Sequence, residues 1–445
     1  MDNIQKKFGL FTTVSMIVGV VIGSGIFFKS DEVLIGTGGN IWLGVLVFCI
    51  GAFSIIFGSL TVAQFAIRSK KQDGVIGYYR EFVSPKIATG FAWFQTFIYY
   101  PALCMVIAYV GGGYLCTLFR VFLNETGKAT PEGRIILGFS VSMVLLAINV
   151  ISEKFSAYLQ NATTIIKLLP IAVIAIAGML LSGSSVPVPD GMKLVECRDV
   201  GFAWIAALVP VAFSYEGWIL TTNLSSDVKN PKKTLPLALT IAPIVVLTAY
   251  VLYFVGISNM LGVNYVMTMK NDAVNTAGRL LFGSYGDKIL LVFIIISVFG
   301  VVNGVYMTML KMPNMLKSQQ MFPKMLDKNF FSPLMITVLL SAVWMIVQYA
   351  IVKSNIFNAV SDATSVAIVL SYAFYSILYI KVLTMKDIKN PIKRFVYPVF
   401  ALFGASIILI GGTAADPLYT VVFTVFTSIL FGCGYKFADK QLRSK

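Results

Sequence analysis

The residues of this chain that could do chemistry stand inside apolar runs. Val21-Ile22-Gly23-Ser24-Gly25-Ile26-Phe27 breaks the run from Leu10 to Phe28, and Val211-Ala212-Phe213-Ser214-Tyr215-Glu216-Gly217-Trp218 breaks the run from Trp204 to Asn223. Lys167 lies within Thr163-Thr164-Ile165-Ile166-Lys167-Leu168-Leu169-Pro170. Ser297, Gly300 and Asn303 share one helix face, and Tyr99-Tyr100-Pro101 sits in another apolar run. None of these sets is a catalytic constellation. The chain has no histidine, no cluster of metal ligands and no paired carboxylates beside either break. Those absences exclude histidine-based proton switching and most zinc chemistry, and argue against an enzyme. No cofactor and no metal is expected. What remains is reversible binding by backbone groups and a few buried charges.

A break at mid-membrane has a physical meaning. Glycine in a helix interior costs roughly 1 kcal/mol against alanine, and Gly23 and Gly25 leave the amides beside Ser24 uncovered. Unwound backbone at membrane depth is tolerated only where it is buried in protein or lines a cavity. The first break therefore reads either as a binding place or as a small-residue face for close helix packing. Lys167 reads as an ammonium turned into the bundle, since a lysine at a helix centre costs ~2.5–3.5 kcal/mol on insertion scales. The competing reading is a side chain that snorkels to an interface. Glu216 has several open roles: neutralising Lys167, lining a substrate path, carrying a proton, or pointing into an aqueous vestibule. For Ser297 and Asn303, interhelical hydrogen bonding stands beside contact with Lys167 or a ligand; Tyr99 reads as pocket lining or as ordinary packing.

The elements that must position these residues are transmembrane helices. Of the 445 residues, 57% are hydrophobic and only 12% charged, with mean hydropathy +0.82; soluble proteins carry about 25% charged residues. Apolar runs long enough to span occur at 10–28, 41–67, 86–119, 133–152, 156–182, 201–225, 236–261, 284–310, 333–352, 356–380, 394–412 and 416–435. The connections at 183–200, 262–283 and 311–332 are short and rich in turn residues, so residues 1–445 read as one membrane domain. Lys6 and Lys7 before the first run superficially match a signal peptide, but the spans that follow favour a retained helix. The net charge of +15 does not point to nucleic acid, because the basic residues sit in short loops. Most fall on one side, among them Lys6, Lys71, Lys324, Lys328 and Lys445, which places both termini in the cytoplasm. Cys49, Cys104, Cys116 and Cys433 lie in or at the ends of apolar runs and Cys197 in a polar loop, with no disulfide or metal spacing.

The second break stands five spans after the first. Interrupted segments at corresponding positions of two five-helix halves point to a transporter with inverted repeats, here about 10–182 and 201–380, with extra helices at about 394–435. The match also shifts the first break from packing toward a binding site.

At these residues the sequence resembles amino acid permeases of the amino acid–polyamine–organocation superfamily, and more narrowly the L-amino acid transporter family with its bacterial serine/threonine exchangers. The resemblance is carried by Ile22-Gly23-Ser24-Gly25-Ile26-Phe27, Phe213-Ser214-Tyr215-Glu216-Gly217-Trp218, the stretch around Lys167, and Asp227-Val228-Lys229-Asn230-Pro231-Lys232-Lys233-Thr234-Leu235-Pro236. It implies an all-α, twelve-helix leucine-transporter fold with a 5+5 inverted repeat and two C-terminal helices. It also implies sodium-independent exchange of small neutral L-amino acids such as serine, threonine or alanine at a cell membrane; a proton-coupled symporter is the alternative.

Site residues follow from the same resemblance. Amides around Gly23, Ser24, Gly25 and Ile26 would take the substrate carboxylate, in keeping with the unsatisfied donors and partial positive charge of a helix amino end. The substrate ammonium would meet carbonyls of Val21, Phe213 and Glu216, near Ser214, with the Phe213 ring as gate. Lys167 would replace a sodium ion. Two departures from the family pattern stand in the motifs: Glu216 where close bacterial relatives carry aspartate, and Asp227 where glutamate is usual. The segment 120–132 lacks the cysteine that animal members use for a disulfide to a heavy chain, so no such partner is expected.

Overall fold

A computed structural model describes residues 7–70, 73–181, 186–189, 191–322, 332–354, 363–415 and 417–443, and among them twelve helical spans are long and apolar enough to cross a membrane. In chain order the spans are Leu10–Phe28, Ile41–Arg68, Pro85–Phe119, Pro131–Ile151, Glu153–Leu180, Gly201–Asp227, Pro231–Leu261, Asp272–Ser318, Pro333–Ser354, Val366–Thr384, Ile392–Ala414 and Pro417–Arg443. No strand is present among the described residues, only isolated bridges. The expected start of span 10 at 356–362, and Lys6, Lys71, Lys324, Lys328 and Lys445, lie outside the described residues.

Helix starts follow the local sequence. Span 3 begins with Pro85 after Ser84, whose hydroxyl accepts from Lys86 N; span 4 begins with Pro131 after Thr130, which accepts from Gly133 N. Span 5 starts earlier than expected, at Glu153, because Ser152 caps it through Phe155 N. The connections expected at 262–283 and 311–332 also need correction. Helices fill Val263–Met269, Asp272–Phe282 and Met312–Ser318, so span 8 is a long compound element around Gly286–Met309. An amphipathic short helix can lie along the bundle without the continuous apolar run by which a span is recognised.

Span 1 occupies the centre, packed on spans 5, 6, 7 and 8, while span 3 packs on 4, 8 and 9, and span 11 on 2 and 10. Small residues bring backbones together where lipid supplies no hydrophobic drive. At the crossing of spans 5 and 7, a β-carbon on Gly178 would lie 2.2 Å from Gly256 O. Spans 1 and 6 both leave regular α-helix partway along their length.

Candidate functional site

Span 1 is helical from Leu10 to Val21, turns extended at Ile22, and resumes as a 3-10 turn over Gly25–Phe28. The first amides of that turn have no partner within it. Gly25, the first residue of that turn, is exposed. Span 6 is helical over Leu208–Phe213, passes through turns in which Tyr215 N bonds Ala212 O and Glu216 N bonds Phe213 O, and resumes as 3-10 helix at Trp218–Asp227. Gly217 closes the break at φ +100°, a conformation that favours glycine. The breaks face each other. A β-carbon on Gly25 would find nothing nearer than Ser214 Oγ at 4.0 Å, so open space separates them there.

Lys167 is fully buried, and its Nζ donates to Gly19 O at 2.7 Å, Ile22 O at 2.6 Å and Ser297 O at 3.1 Å. Three carbonyl acceptors match the three donors of an ammonium. Hydrogen bonds to a charged group are worth about 1.5–3 kcal/mol each, enough to offset the ~2.5–3.5 kcal/mol insertion cost of a mid-membrane lysine. Ser297 adds its own hydroxyl, which donates to Gly23 O at 3.2 Å. The carbonyls freed where span 1 unwinds are thus held to spans 5 and 8.

Lys167 and Glu216 do not pair. Glu216 is 8% exposed and accepts a 2.5 Å hydrogen bond from the Tyr99 hydroxyl, which removes both the neutralising role and the vestibule role considered from sequence. Tyr99 is fully buried at the end of a π-helical turn, Gln95–Tyr99, in span 3. Asn303 lies in an interhelical network instead of at the breaks: it donates to Ser156 O and Gln160 Oε1 and accepts from Asn149 Nδ2. The stripe of span 8 therefore divides, with Ser297 on the break and Asn303 in packing. The Ser214 hydroxyl donates back to Pro210 O, and the Phe213 ring lies beside Gly412 of span 11.

Three tyrosines brace the breaks, two of them, Tyr250 and Tyr253, from outside the motifs. The Tyr250 hydroxyl of span 7 reaches both breaks, 3.2 Å from Val21 O and 2.8 Å from Ser214 O. Tyr253 donates to Phe27 O, and Tyr215 to Phe48 O of span 2. Val21 O, expected to meet the substrate ammonium, thus competes with the nearer Ser214 O for the single proton of Tyr250. Nothing in the sequence around Tyr250 marks it, since Tyr-rich apolar helix is ordinary in a membrane chain.

Two interrupted helices thus face each other, with a lysine standing among the carbonyls of the first. The chain matches the family model described as amino acid permease over residues 8–435. It belongs to that family. Among its relatives, the serine/threonine exchanger SteT of Bacillus subtilis (strain 168) is 26% identical over 441 residues, 97% of this chain and 95% of that one. The human cystine/glutamate transporter is 26% identical over 440 residues (96% and 84%), and the human b(0,+)-type amino acid transporter 1 is 25% identical over 466 (100% and 91%). Among solved structures, MhsT in complex with L-phenylalanine matches with a TM-score of 0.59 at 15% identity, covering 91% of this chain and 98% of that one. At that identity the likeness establishes the leucine-transporter fold.

On the face that holds its amino terminus, the permease ties four elements together. Lys7 N and Phe8 N both donate to Asp227 O, and Lys229 N returns a bond to Phe8 O. Lys7 Nζ meets Glu153 Oε2 at 2.5 Å; Lys311 Nζ pairs with Asp227 Oδ2 and lies 3.7 Å from Glu153 Oε2. The bond to Glu153 holds the Lys7 ammonium above the usual lysine range. Asp227, the departure noted in the basic motif, is thus bonded through its backbone carbonyl and its carboxylate alike.

Proposed function

We propose that this permease is a sodium-independent exchanger of small neutral L-amino acids, serine, threonine or alanine, working by alternating access around the two breaks. The observation that carries the reading is Lys167 among Gly19 O, Ile22 O and Ser297 O. A fixed ammonium satisfies carbonyls that a sodium ion would otherwise coordinate. The amides of Ser24, Gly25 and Ile26 take the substrate carboxylate; the carboxyl ends of the half-helices, at Val21 and at Phe213 to Glu216, take the ammonium. Phe213 closes over the ligand. Binding must favour closure for the loaded carrier to cross faster than the empty one, which makes exchange dominate. The twofold likeness of the breaks supports repeats at about 10–182 and 201–380. The face bearing Lys7, Lys229 and Lys311 is assigned to the cytoplasm of a plasma-membrane protein, with no disulfide-linked heavy chain.

The test is uptake of labelled serine into proteoliposomes. Exchange requires serine, threonine or alanine preloaded inside and is indifferent to sodium. Accumulation in empty vesicles under an inward proton gradient would replace exchange by proton symport. Competition by a panel of unlabelled amino acids defines the range, and competition only by large or charged ones would overturn the small neutral assignment.

A further inference from the structure

Below the second break, polar side chains of spans 3, 6 and 10 meet with too few partners. Gln95 and Asn223 are buried and share one hydrogen bond, Asn223 Nδ2 to Gln95 Oε1 at 3.2 Å, with Tyr100 closing the triangle. That leaves Gln95 Nε2 and Asn223 Oδ1 unpaired. Turning both amides over would exchange donor for acceptor and still orphan one of each. Glu216 Oε2, Trp218 Nε1 and the hydroxyls of Tyr372, Tyr375 and Tyr379 make no hydrogen bond of ordinary length, although all five residues are buried; Tyr372 approaches Glu216, Trp218 and Ser54, and Tyr375 approaches Ser371, without closing on them. The groups adjoin one another. Trp218 and Tyr375 rings stand 6.0 Å apart, Tyr372 and Tyr375 rings 5.3 Å apart, and the Tyr99 ring 5.2 Å from Tyr100. The Tyr379 hydroxyl lies over Gly58 of span 2, where Trp218 also reaches.

Buried polar atoms are rarely left without partners, and a buried water typically supplies about three hydrogen bonds. We propose that this cluster is a water-binding chamber, holding roughly two or three ordered waters, and that it acts as a wet joint between span 6 and spans 3 and 10. Direct hydrogen bonds across a moving contact must break before new ones form, leaving buried groups unsatisfied on the way. Bridging waters re-form their bonds as the helices slide. The chamber is chemically suited to water: Asn223 Oδ1 offers a free acceptor, Gln95 Nε2 and the Tyr379 hydroxyl offer free donors, and Glu216, Trp218, Tyr372 and Tyr375 stand in loose contacts that a bridging water would complete. Only the link to movement rests on the transport reading.

Radiolytic hydroxyl-radical labelling of the full-length protein in nanodiscs, read by mass spectrometry, tests occupancy without transport. Bound water makes radicals in place, so Tyr372 or Tyr375 should be labelled at least about tenfold above Tyr253, equally buried but bonded to Phe27 O. Labelling equal to that of Tyr253 overturns the chamber. The joint is tested with Gln95→Leu/Asn223→Leu and, in case that pair fails to fold, with Tyr375→Phe. Each should lower the maximal exchange rate severalfold with KM nearly unchanged. A folded variant that loses the labelling but exchanges at the wild-type rate keeps the waters and overturns the joint.

Discussion

Gly217 and Val20 press the two broken helices together: a β-carbon on Gly217 would stand 2.8 Å from Val20 Cγ1, and Gly217 holds φ at +100°. Both facts resist a side chain. A left-handed conformation costs an L-residue roughly 1–2 kcal/mol, and overpacking adds about 1–3 kcal/mol. Gly217→Ala should therefore lower the thermal midpoint of the purified protein and impair transport together. A midpoint equal to that of the wild type would show that the breaks can separate without loss.

Gly25 makes the opposite prediction. Its absent side chain faces open space toward Ser214 and its φ is not left-handed. Gly25→Leu should change stability by no more than about 0.5 kcal/mol, as substitutions away from packed features do, while filling the space between the breaks and abolishing exchange. Uptake near the wild-type level would remove the carboxylate site from this break.

Lys167→Met keeps the length of the side chain and deletes every donor. Gly19 O, Ile22 O and Ser297 O then lose their shared partner, at about 1–3 kcal/mol for each buried group left unsatisfied. Exchange should fall by at least about tenfold, with the unfolding midpoint lowered as well. Unchanged kinetics in reconstituted vesicles would strip Lys167 of its assigned role.

The sequence carried more of this architecture than of its detail, for reasons visible in particular residues. Span lengths, the breaks at Gly23-Ser24-Gly25 and Ser214 to Gly217, and the depth of Lys167 are local features written in glycine and charge. The split of Ser297 from Asn303 is not local: both lie on one face of span 8, yet the former meets span 1 and the latter spans 4 and 5. Tyr250 was invisible for a similar reason. Its role depends on where a hydroxyl lands after span 7 packs against spans 1 and 6, and no spacing rule encodes that. Nor does sequence pair Glu216 with Tyr99, whose side chains come from spans 3 and 6.

Tyr250→Phe isolates the hydroxyl that bridges the breaks. The ring, with its centroid 5.0 Å from that of Tyr215, should stay in place. Only the one donated proton, shared between Ser214 O and Val21 O, is lost. At about 0.5–1.5 kcal/mol per bond, the change in apparent substrate affinity should reach severalfold to tenfold. An unaltered KM and maximal rate would mean that span 7 merely covers the site.

Asp31 supplies a test in pH. It lies between spans 1 and 2, buried, and burial pushes its carboxyl above the usual aspartate range; hydrogen bonds from the backbone N–H groups of Glu32 and Asp31 and the charge of Lys29 oppose that rise, and the charge of Glu32 adds to it. A carboxyl whose folded value is raised favours the native state while protonated; that contribution is complete below the unfolded value near about 3.9 and is lost as pH rises through the folded value. Asn cannot ionise. The stability of Asp31→Asn should therefore gain on that of the wild type as pH climbs from the acid side, then hold a constant lead once the native carboxyl has ionised. Thermal unfolding of both proteins across that range decides the matter: a difference between them that does not change with pH, or that moves in favour of Asp31→Asn toward acid, would mean that Asp31 ionises in the native state at least as easily as in the unfolded chain.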